Sequence, residues 1–482
     1  MNHLSKFLAA LLLKLILFFL LISGSSLHAQ RRTSVNVQDN GKTTVSVSNP
    51  FGKSFHVEYR GDITLSDDDS DIVAISRGGF MEIKRSAFGS RRRIFIEPNN
   101  SGQLIKRYYV GGSEKSFDPE GKAWLADILL DVVRTTTLGS EQRVNRIYKK
   151  RGAYGVLKEV DIMESNHVKA RYIKLLLQKD LKDADLISVI HAVGDEIDSD
   201  HHRADILKRY TAKFLENEGS TLAFIYAASE IDSDHHKAEV LKKSIKDGNI
   251  KGTQLKTLLV IARDIDSDHH KASVLLTALR NRPLSSENTK VLAVTAKGID
   301  SDHHRAEVLK AALNVDELST SGFHTFLNAL DGMDSDYHRG AVLSRAVNKE
   351  MDASTISHLL KCVEQMGSDS HQASVLKKLV DRHKLSSGNV DDLVVTLGRI
   401  NSDSHKSEVF KEIAKNDFGE SDLVKLIAAI EDIDSDYHKA ESLLRFAPAV
   451  KSNGKAVSDA YRTVSNSISS DSHYRRVLNA VQ

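Results

Sequence analysis

Two periodicities of apolar residues divide the chain. Between residue 33 and about residue 117, apolar and polar positions alternate, as they do in strands with one buried face. From Trp124 onward, apolar residues return every three or four positions, as they do on the buried side of a helix. The sequence therefore predicts an α+β protein with an antiparallel β domain at residues 30–118 and a helical repeat domain at residues 119–482.

The alternating region predicts a small antiparallel meander. Val35 and Val37 are separated from Val45 and Val47 by Asp39-Asn40-Gly41, which is a strong turn signal. The further strand candidates are residues 55–59, 72–75, 80–83, 93–96 and 104–110. An acidic run between two of them, at residues 67–71, lacks the Gly and the distal Glu of a calcium loop, so we expect a solvated turn there.

One unit of the helical region shows the predicted architecture. A first apolar stripe with helical spacing consists of Leu255, Leu258, Leu259, Ala262 and Ile265. A second stripe consists of Ala272, Leu275, Leu276 and Leu279. Because Asp266-Ser267-Asp268 interrupts the pattern between them, each unit is predicted to be two antiparallel helices of about 12 residues joined by a tight turn.

The phrase Ile-Asp-Ser-Asp-His-His marks this turn and recurs along the chain. It begins at Ile197 and returns at Ile231, Ile265 and Ile299, in steps of 34 residues. Looser copies begin at Met163, Met333, Met366, Ile400, Ile433 and Ile468. A period of this size is typical of a solenoid, in which each unit buries its apolar face by stacking on its neighbours. We expect a right-handed α-solenoid of about ten helix hairpins.

The Ser-Asp pair of the phrase has the composition of a helix start. Ser is a favoured N-cap residue, and an Asp in the first turn meets the positive end of the helix dipole. Each such cap contributes about 1 kcal/mol. The Ser slot is filled by Ser199, Ser233, Ser267, Ser301, Ser335, Ser368, Ser402, Ser435 and Ser470, and an Asp follows each of them, from Asp200 through Asp471.

The second histidine of the phrase is invariant among these nine copies. It appears as His202, His236, His270, His304, His338, His371, His405, His438 and His473. The slot before it varies, from His201 to Tyr337 and Ser370, and we interpret that slot as a free surface position. We expect each invariant His to hydrogen-bond an Asp or a backbone carbonyl of the adjoining unit, in a ladder that fixes the stacking. Neighbouring Asp residues would raise the pKa of such a histidine and the helix N-terminus would lower it, so the sign of a pH response stays open.

A metal site is the alternative interpretation of the Asp and His residues. The candidate ligands are Asp232, Asp234, His236, Asp266, Asp268 and His270. Adjacent residues diverge on a helix, and equivalent residues of stacked units lie about 8–10 Å apart, which is far for a shared ion. The sequence therefore predicts that the protein binds neither a metal ion nor a cofactor.

Composition narrows the function classes. The 67 Lys and Arg residues nearly balance 65 Asp and Glu residues, which argues against a nucleic-acid partner. The only cysteine, Cys362, excludes an intrachain disulfide and a thiolate metal site, and its place in a helical pattern predicts a packing role. There is no phosphate loop, G-x-S-x-G elbow or H-E-x-x-H helix, so we expect no enzyme.

Residues 1–29 have the pattern of a secretory signal peptide. Lys6 precedes an apolar run at residues 15–22, and Leu27-His28-Ala29 is a cleavage site that leaves Gln30 as the first mature residue. Lys14 interrupts the apolar stretch, which makes it short for a membrane span. We expect export to the periplasm, the cell surface or the medium, without membrane insertion after signal cleavage.

Two segments carry a resemblance to known proteins. Together with the Ser-Asp helix starts, residues 61–68 and 75–83 make the chain similar to uncharacterised exported bacterial proteins that have HEAT-like α-solenoid repeats after a β region. They also resemble the extracellular part of BlaR-type sensors, but this chain lacks the membrane helices and zinc motif of those sensors, so no peptidase function follows. The step of 34 residues equals that of tetratricopeptide repeats, whose Trp, Leu-Gly and Tyr signature is missing.

These observations predict a non-enzymatic, exported scaffold or adaptor. It would bind a protein partner through the extended solenoid surface, as stacked repeats commonly do, in a setting of envelope signalling. The alternative is a metal- or pH-responsive binding module built on the repeated Asp and His residues.

Overall fold

The computed structural model describes residues 32–37, 41–48, 54–87, 90–247, 250, 252–282, 284–314 and 318–482. The predicted signal peptide at residues 1–29 lies outside these residues. The described residues form two compact units, the first unit up to residue 181 and the second unit from residue 182 onward. None of the helices in the described ranges is both long enough and apolar enough to cross a membrane.

The first unit contains the predicted antiparallel β region. Its strands are β1 (Arg32–Val37), β2 (Lys42–Ser48), β3 (Ser54–Arg60), β4 (Ile63–Leu65), β5 (Ile72–Ile75), β6 (Phe80–Ala87), β7 (Ser90–Pro98), β8 (Leu104–Val110) and β9 (Ser113–Lys115). Seven of them form one sheet in the order β1-β2-β3-β6-β7-β8-β9, with neighbours antiparallel. The predicted meander is interrupted, because β4 and β5 pair only with each other.

One face of this sheet is a continuous apolar surface. A single row crosses five strands and is almost fully buried, from Val45 through Val57, Ile83 and Ile94 to Tyr108. The helix Lys122–Thr135 packs into the same core with Leu125, Ile128, Leu129 and Val132. The change from strands to helices follows Lys115, yet this helix and the helices Ser140–Asp161 and Asn166–Leu177 belong to the same compact unit as the sheet.

A buried ionic cluster ties the β4–β5 turn to the helices of the first unit. The guanidinium of Arg143, only 2% exposed, donates to Asp69 at 2.8 Å and to Glu159 at 2.9 Å, and it also contacts the Tyr172 hydroxyl. Burial opposes the charged form, but attraction by Tyr172, Asp69 and Glu159 outweighs it and raises the pKa of Arg143. The expectation of a solvated turn at residues 67–71 is therefore wrong for Asp69, which is 8% exposed.

The second unit is a series of helix pairs. In the described residues, the first helices of the pairs are Asp183–Glu196, Glu218–Ser229, Gly252–Ile261, Ser286–Lys297, Thr320–Asn328, Ala353–Glu364, Ser387–Leu397, Glu420–Ala428 and Lys455–Ser465. The second helices are Asp200–Arg209, Asp234–Asp247, Asp268–Asn281, Asp302–Ala312, Asp336–Ala346, Asp369–Arg382, Asp403–Ile413, Asp436–Ser452 and Asp471–Asn479. Short helical turns lie at Thr211–Phe214, Ala262–Asp264 and Ala429–Asp432.

The pairs stack in two rows. Each first helix packs against the first helix of the next pair, and each second helix packs against the next second helix. The predicted stripe is confirmed, since Leu255, Leu258 and Leu259 are at most 3% exposed. The apolar residue that opens the repeated phrase is buried in every pair, for example Ile265 at 0% and Met333 at 1%. It lies where the two helices of a pair meet, as the tight turn predicts.

Candidate functional site

The repeated phrase forms the turn between the two helices of each pair. We call this turn, from the opening Ile or Met to the second histidine, the motif turn. The second helix begins at the second Asp of the phrase in every pair of the second unit, from Asp200 to Asp471. The prediction that the phrase starts a helix is therefore confirmed.

The motif serine caps its helix in only part of the array. Ser233, Ser301, Ser335, Ser402 and Ser435 accept the N–H of the residue three positions later, at 3.4–3.5 Å. Ser199, Ser267, Ser368 and Ser470 make no side-chain cap hydrogen bond. Since N–H···O bonds are usually 2.7–3.2 Å long, the caps that do form are weak. The serine is thus a smaller contributor than the sequence predicts.

The motif aspartate links each pair to the next one. The Asp268 carboxylate accepts the backbone N–H groups of Asp300 at 3.0 Å and Ser301 at 2.7 Å, both in the following motif turn. Charge-assisted hydrogen bonds of this kind are about twice as strong as neutral ones. We call the whole set the aspartate ladder. In the other members, each aspartate likewise accepts backbone N–H groups of the following motif turn. Asp200 accepts from residues 232 and 233, Asp234 from 266 and 267, Asp302 from 335, Asp336 from 367, Asp369 from 401 and 402, Asp403 from 434 and 435, and Asp436 from 469 and 470.

A buried cation three residues after this aspartate donates to a backbone carbonyl at the C-terminal end of the following first helix. Lys271 donates to the carbonyl of Gly298 at 2.7 Å, and Arg305 donates to the carbonyl of Asp331 at 2.9 Å, in each case in the following pair. Gly298 directly follows the helix Ser286–Lys297 and Asp331 lies three residues beyond the helix Thr320–Asn328, so these donors satisfy carbonyls at and just beyond the helix ends, where partners within the helix are lacking. Buried cations fill this slot at Arg203, Lys237, Lys271, Arg305, Arg339, Lys406 and Lys439, and the uncharged Gln372 fills it in one pair. The sequence pattern did not predict this role.

The histidine rings form a second connection between motif turns. The ring of His235 lies 5.2 Å, centroid to centroid, from His236 of its own turn and 5.4 Å from His270 of the next. The same pattern continues through His201–His236, His269–His304, His303–His338 and Tyr337–His371, and it returns at Tyr437–His473. The first slot is exposed as predicted, but where His or Tyr fills it the slot is not free, because the ring bridges two turns. The predicted hydrogen bonds of the second histidines stay a prediction.

The structure places the predicted metal ligands in other contacts or on the exposed surface. Asp234 and Asp268 hold backbone N–H groups of the aspartate ladder, and His236 and His270 lie in the ring contacts. Asp232 and Asp266 are exposed. Within the described ranges, one other group brings three potential ligand atoms to within 4.8 Å of one another, and it consists of His303, His304 and Glu307.

A separate surface lies on the first helices. Tyr226, Val260 and Val294 each stand five residues before a motif isoleucine, and they are 37%, 39% and 47% exposed. Leu222, one turn before Tyr226, is 59% exposed and lines a cleft of about 400 Å³ with Ile225. We call Leu222, Tyr226, Val260 and Val294 the apolar row. It occupies three successive pairs, and sequence reasoning could have found it as a repeated apolar slot outside the buried stripe.

Cys362 has the packing role that the sequence predicts. Its side chain is 3% exposed in the helix Ala353–Glu364. Burial raises the pKa of its thiol to about 12, so the thiol stays protonated at neutral pH.

Comparisons with known proteins give little guidance. No family model matches the chain, and no curated protein matches it. Among solved structures, the chain is similar to one in the crystal structure of the Chs5-Bch1 exomer cargo adaptor complex, at 10% identity and a TM-score of 0.15. The likeness covers 83% of this chain and 84% of that chain. Because the TM-score is so low, no argument about this protein rests on it.

Burial and the neighbouring histidines together set the sign of the pH response of His236 and His270. Burial, followed by the repulsion of neighbouring histidines, lowers the pKa of His236 and of His270 below the ordinary value of 6.5. For His236 the opposing attraction comes from Asp200 and for His270 from Asp234, and both are outweighed. A histidine whose pKa is lower in the folded state stabilises the fold above its unfolded pKa, and that contribution is lost as the pH falls through the folded pKa.

We therefore expect the melting temperature to fall between pH 7 and pH 5. Circular dichroism melts at half-unit pH intervals measure this, and replacing both His236 and His270 with Gln should flatten the profile. His405→Gln is the matched control, because the first slots of its own turn and of the preceding turn hold Ser404 and Ser370, which have no rings. A double variant whose melting temperature falls as steeply as that of the parent protein would contradict the assignment.

Proposed function

We propose that this protein is a non-enzymatic scaffold that binds a protein partner through the apolar row on its first helices. The observation that carries the proposal is the alignment of Tyr226, Val260 and Val294, each more than a third exposed, on successive stacked helices. A contiguous exposed apolar surface with polar surroundings is typical of protein interaction sites. Stacked repeats present such surfaces without any need for a single deep pocket.

Charged pairs flank the apolar row on the same helices. Lys256, one turn before Val260, pairs with Glu287 at 2.8 Å, and Lys297, one turn after Val294, pairs with Asp331 at 3.0 Å. The first pair joins neighbouring first helices, the second joins a first helix to the turn after the next one, and both pairs are about half exposed. An apolar centre with a polar, solvent-accessible rim is the usual anatomy of a protein interface. The partner is therefore expected to present apolar side chains surrounded by both signs of charge.

The contacts that hold the stacked helices together do not involve the residues of the apolar row. The aspartate ladder and the buried cations lie at the motif turns, whereas the apolar row lies on the exposed side of the first helices. Substitutions in the row should therefore change binding without loss of the fold. This separation makes the proposal testable with point variants.

Photo-crosslinking tests the proposal directly. A benzophenone amino acid placed at residue 260 or 294 is expected to capture the same partner from native extracts, and residue 374 on a second helix is expected to capture nothing in common with them. In the purified complex, Val260→Asp combined with Val294→Asp should weaken binding at least about tenfold, since each buries a charge in an apolar contact. The melting temperature of this variant should match that of the parent.

Val395→Asp is the matched control for these variants. Val395 fills the same slot and is 55% exposed, but its neighbours in the slot are Lys361 and Ala428, so it stands outside the row. It should change the affinity less than about twofold. Equal losses from the control and from the double variant, or crosslinks at residues 260 and 294 to unrelated proteins, would overturn the proposal.

We also propose export, the right-handed solenoid of about ten units and the setting in the cell envelope. These rest on the signal pattern of residues 1–29, the 34-residue repeat and the resemblance to exported HEAT-like proteins. N-terminal sequencing of the protein recovered from its native source tests the first of them. A mature chain beginning at Gln30 supports export, and a protein that retains residues 1–29 counts against cleavage.

A further inference from the structure

One motif turn brings three potential metal ligands together at the start of a helix. In the helix Asp302–Ala312, His303 fills the first ring slot, His304 fills the second, and Glu307 follows one turn later. Residues three and four positions apart are neighbours on a helix surface, so the Glu307 side chain lies beside both rings. Although adjacent residues diverge on a helix, one Glu307 oxygen lies within 3.7 Å of a nitrogen of each ring, so the two histidines share a neighbour.

The distances fit a small metal ion. A Glu307 carboxylate oxygen lies 3.7 Å from Nε2 of His303 and 3.6 Å from Nδ1 of His304. Zinc bonds of about 2.0–2.1 Å in tetrahedral geometry place ligand atoms about 3.4 Å apart. These two edges therefore need to shorten by only about 0.3 Å, which small side-chain rotations supply. The third edge, between the two histidine nitrogens, is within 4.8 Å, and the His303 side chain is exposed.

The chemistry of the set selects a class of ion. Two imidazole nitrogens and one carboxylate oxygen are suitable ligands for zinc and for neighbouring divalent transition metals, whereas calcium and magnesium prefer oxygen ligands alone. The side chains of His303, His304 and Glu307 are 61%, 28% and 43% exposed, so water can reach the position that the protein leaves open. We propose that His303, His304 and Glu307 bind one divalent transition-metal ion of the zinc type.

The first motif turn has His201, His202 and the shorter carboxylate Asp205 in these positions, and in the other turns one part of the set is absent or paired. His269 and His270 are followed by Ser273 where Glu307 stands, so that turn has no carboxylate. His235 and His236 are followed by Glu239, but Lys242 pairs with that carboxylate at 2.7 Å. Tyr337 and Tyr437 replace the first histidine in two further turns. Residues of these other motif turns can therefore serve as controls for the site.

Zinc titration of the full-length protein tests the proposal. After chelator treatment and buffer exchange at pH 7.5, isothermal titration with zinc chloride should show one site with a micromolar Kd. His304→Ala and Glu307→Gln should each weaken that site at least tenfold. His270→Ala, in the neighbouring turn without a carboxylate, should change its affinity less than twofold. Cobalt(II) provides a second readout, since a three-ligand protein site gives visible absorption that Glu307→Gln should diminish.

A gain-of-site variant makes the test sharper. Ser273→Glu places a carboxylate beside His269 and His270 and should raise the zinc stoichiometry from one to two. Far-ultraviolet circular dichroism establishes that each variant is folded. The proposal is overturned if the parent binds no zinc at 100 µM, or if His270→Ala and His304→Ala reduce binding equally, which would indicate adventitious binding to surface histidines only. A Ser273→Glu stoichiometry that stays at one would also count against it.

Discussion

Replacing Arg143 with methionine is expected to lower the free energy of unfolding of the first unit by about 3–5 kcal/mol. The guanidinium is 2% exposed and donates to Asp69 and Glu159, which are themselves about nine-tenths buried. Methionine fills much of the same volume but leaves two carboxylates without their shared cation. Arg146 still contacts Asp69, and Arg134 still contacts Glu159 at 2.9 Å, so we expect the lower end of this range.

Tryptophan fluorescence during urea unfolding measures this loss. Trp124 is the only tryptophan of the chain and is 6% exposed in the core of the first unit, so its emission reports on that unit. Arg134→Met is the matched control, because Arg134 also bonds Glu159 but its side chain is 31% exposed. It should cost at most about 1 kcal/mol. Equal effects of the two substitutions would show that the Arg143 cluster is no more than a surface ion pair.

The same cluster predicts an acid response. Burial alone would raise the pKa of Glu159, but hydrogen bonds from Arg134 and Arg143 outweigh it and hold the pKa below the ordinary value of 4.5. A carboxyl whose pKa is lowered by folding stabilises the fold above its unfolded pKa, and the contribution is lost as the pH falls through the folded value. The difference in unfolding free energy between Arg143→Met and the parent should therefore be smaller at pH 3 than at pH 7.

Replacing Asp268 with asparagine is expected to destabilise the second unit by about 2–3 kcal/mol. The carboxylate accepts two backbone N–H groups of the following motif turn, at 3.0 and 2.7 Å. Asparagine has one oxygen where aspartate has two, and its amide group would direct hydrogen atoms at one of these donors. It also removes a negative charge from the first turn of a helix, where the dipole favours one.

Amide hydrogen exchange at Asp300 and Ser301 gives the sharpest measurement of that loss. Their exchange rates should rise about 30- to 160-fold in Asp268→Asn, which corresponds to the stated free energy. Asp266→Asn is the control, since Asp266 stands two residues away in the same turn and is exposed. It should leave both rates within about twofold. Unchanged protection at Ser301 in Asp268→Asn would mean that the ladder does not hold the stacking.

The elements of this fold were predictable wherever they depend on local periodicity. The alternation at residues 45–47 and 55–59 identified strands, and the spacing of Leu255, Leu258 and Leu259 identified a buried helix face. Such patterns are local because burial of one face repeats every two residues in a strand and about every 3.6 in a helix. The motif turns were predictable for the same reason, since Ser and Asp start helices by contacts within four residues.

The contacts between elements were not predictable in the same way. The aspartate ladder was missed because the partners of Asp268 lie 32 and 33 residues further along the chain. A signal existed, since a first-turn acid could be Asp or Glu, yet every copy from Asp200 onward is Asp. The sequence also indicated the ring contacts, because the aromatic residues Tyr337 and Tyr437 replace histidine in the first slot. Arg143 had none, as Asp69 is 74 residues away and outside any repeat.

The short sequence distances within the aspartate ladder bear on how the protein is made. Every hydrogen bond of the ladder joins residues 31 to 34 positions apart. Proteins dominated by such near contacts fold fast, and a ribosome adds about 5–20 residues per second. Each helix pair therefore waits only about 2–7 s for the backbone that its aspartate binds. The second unit can assemble in the order of its synthesis, one pair at a time.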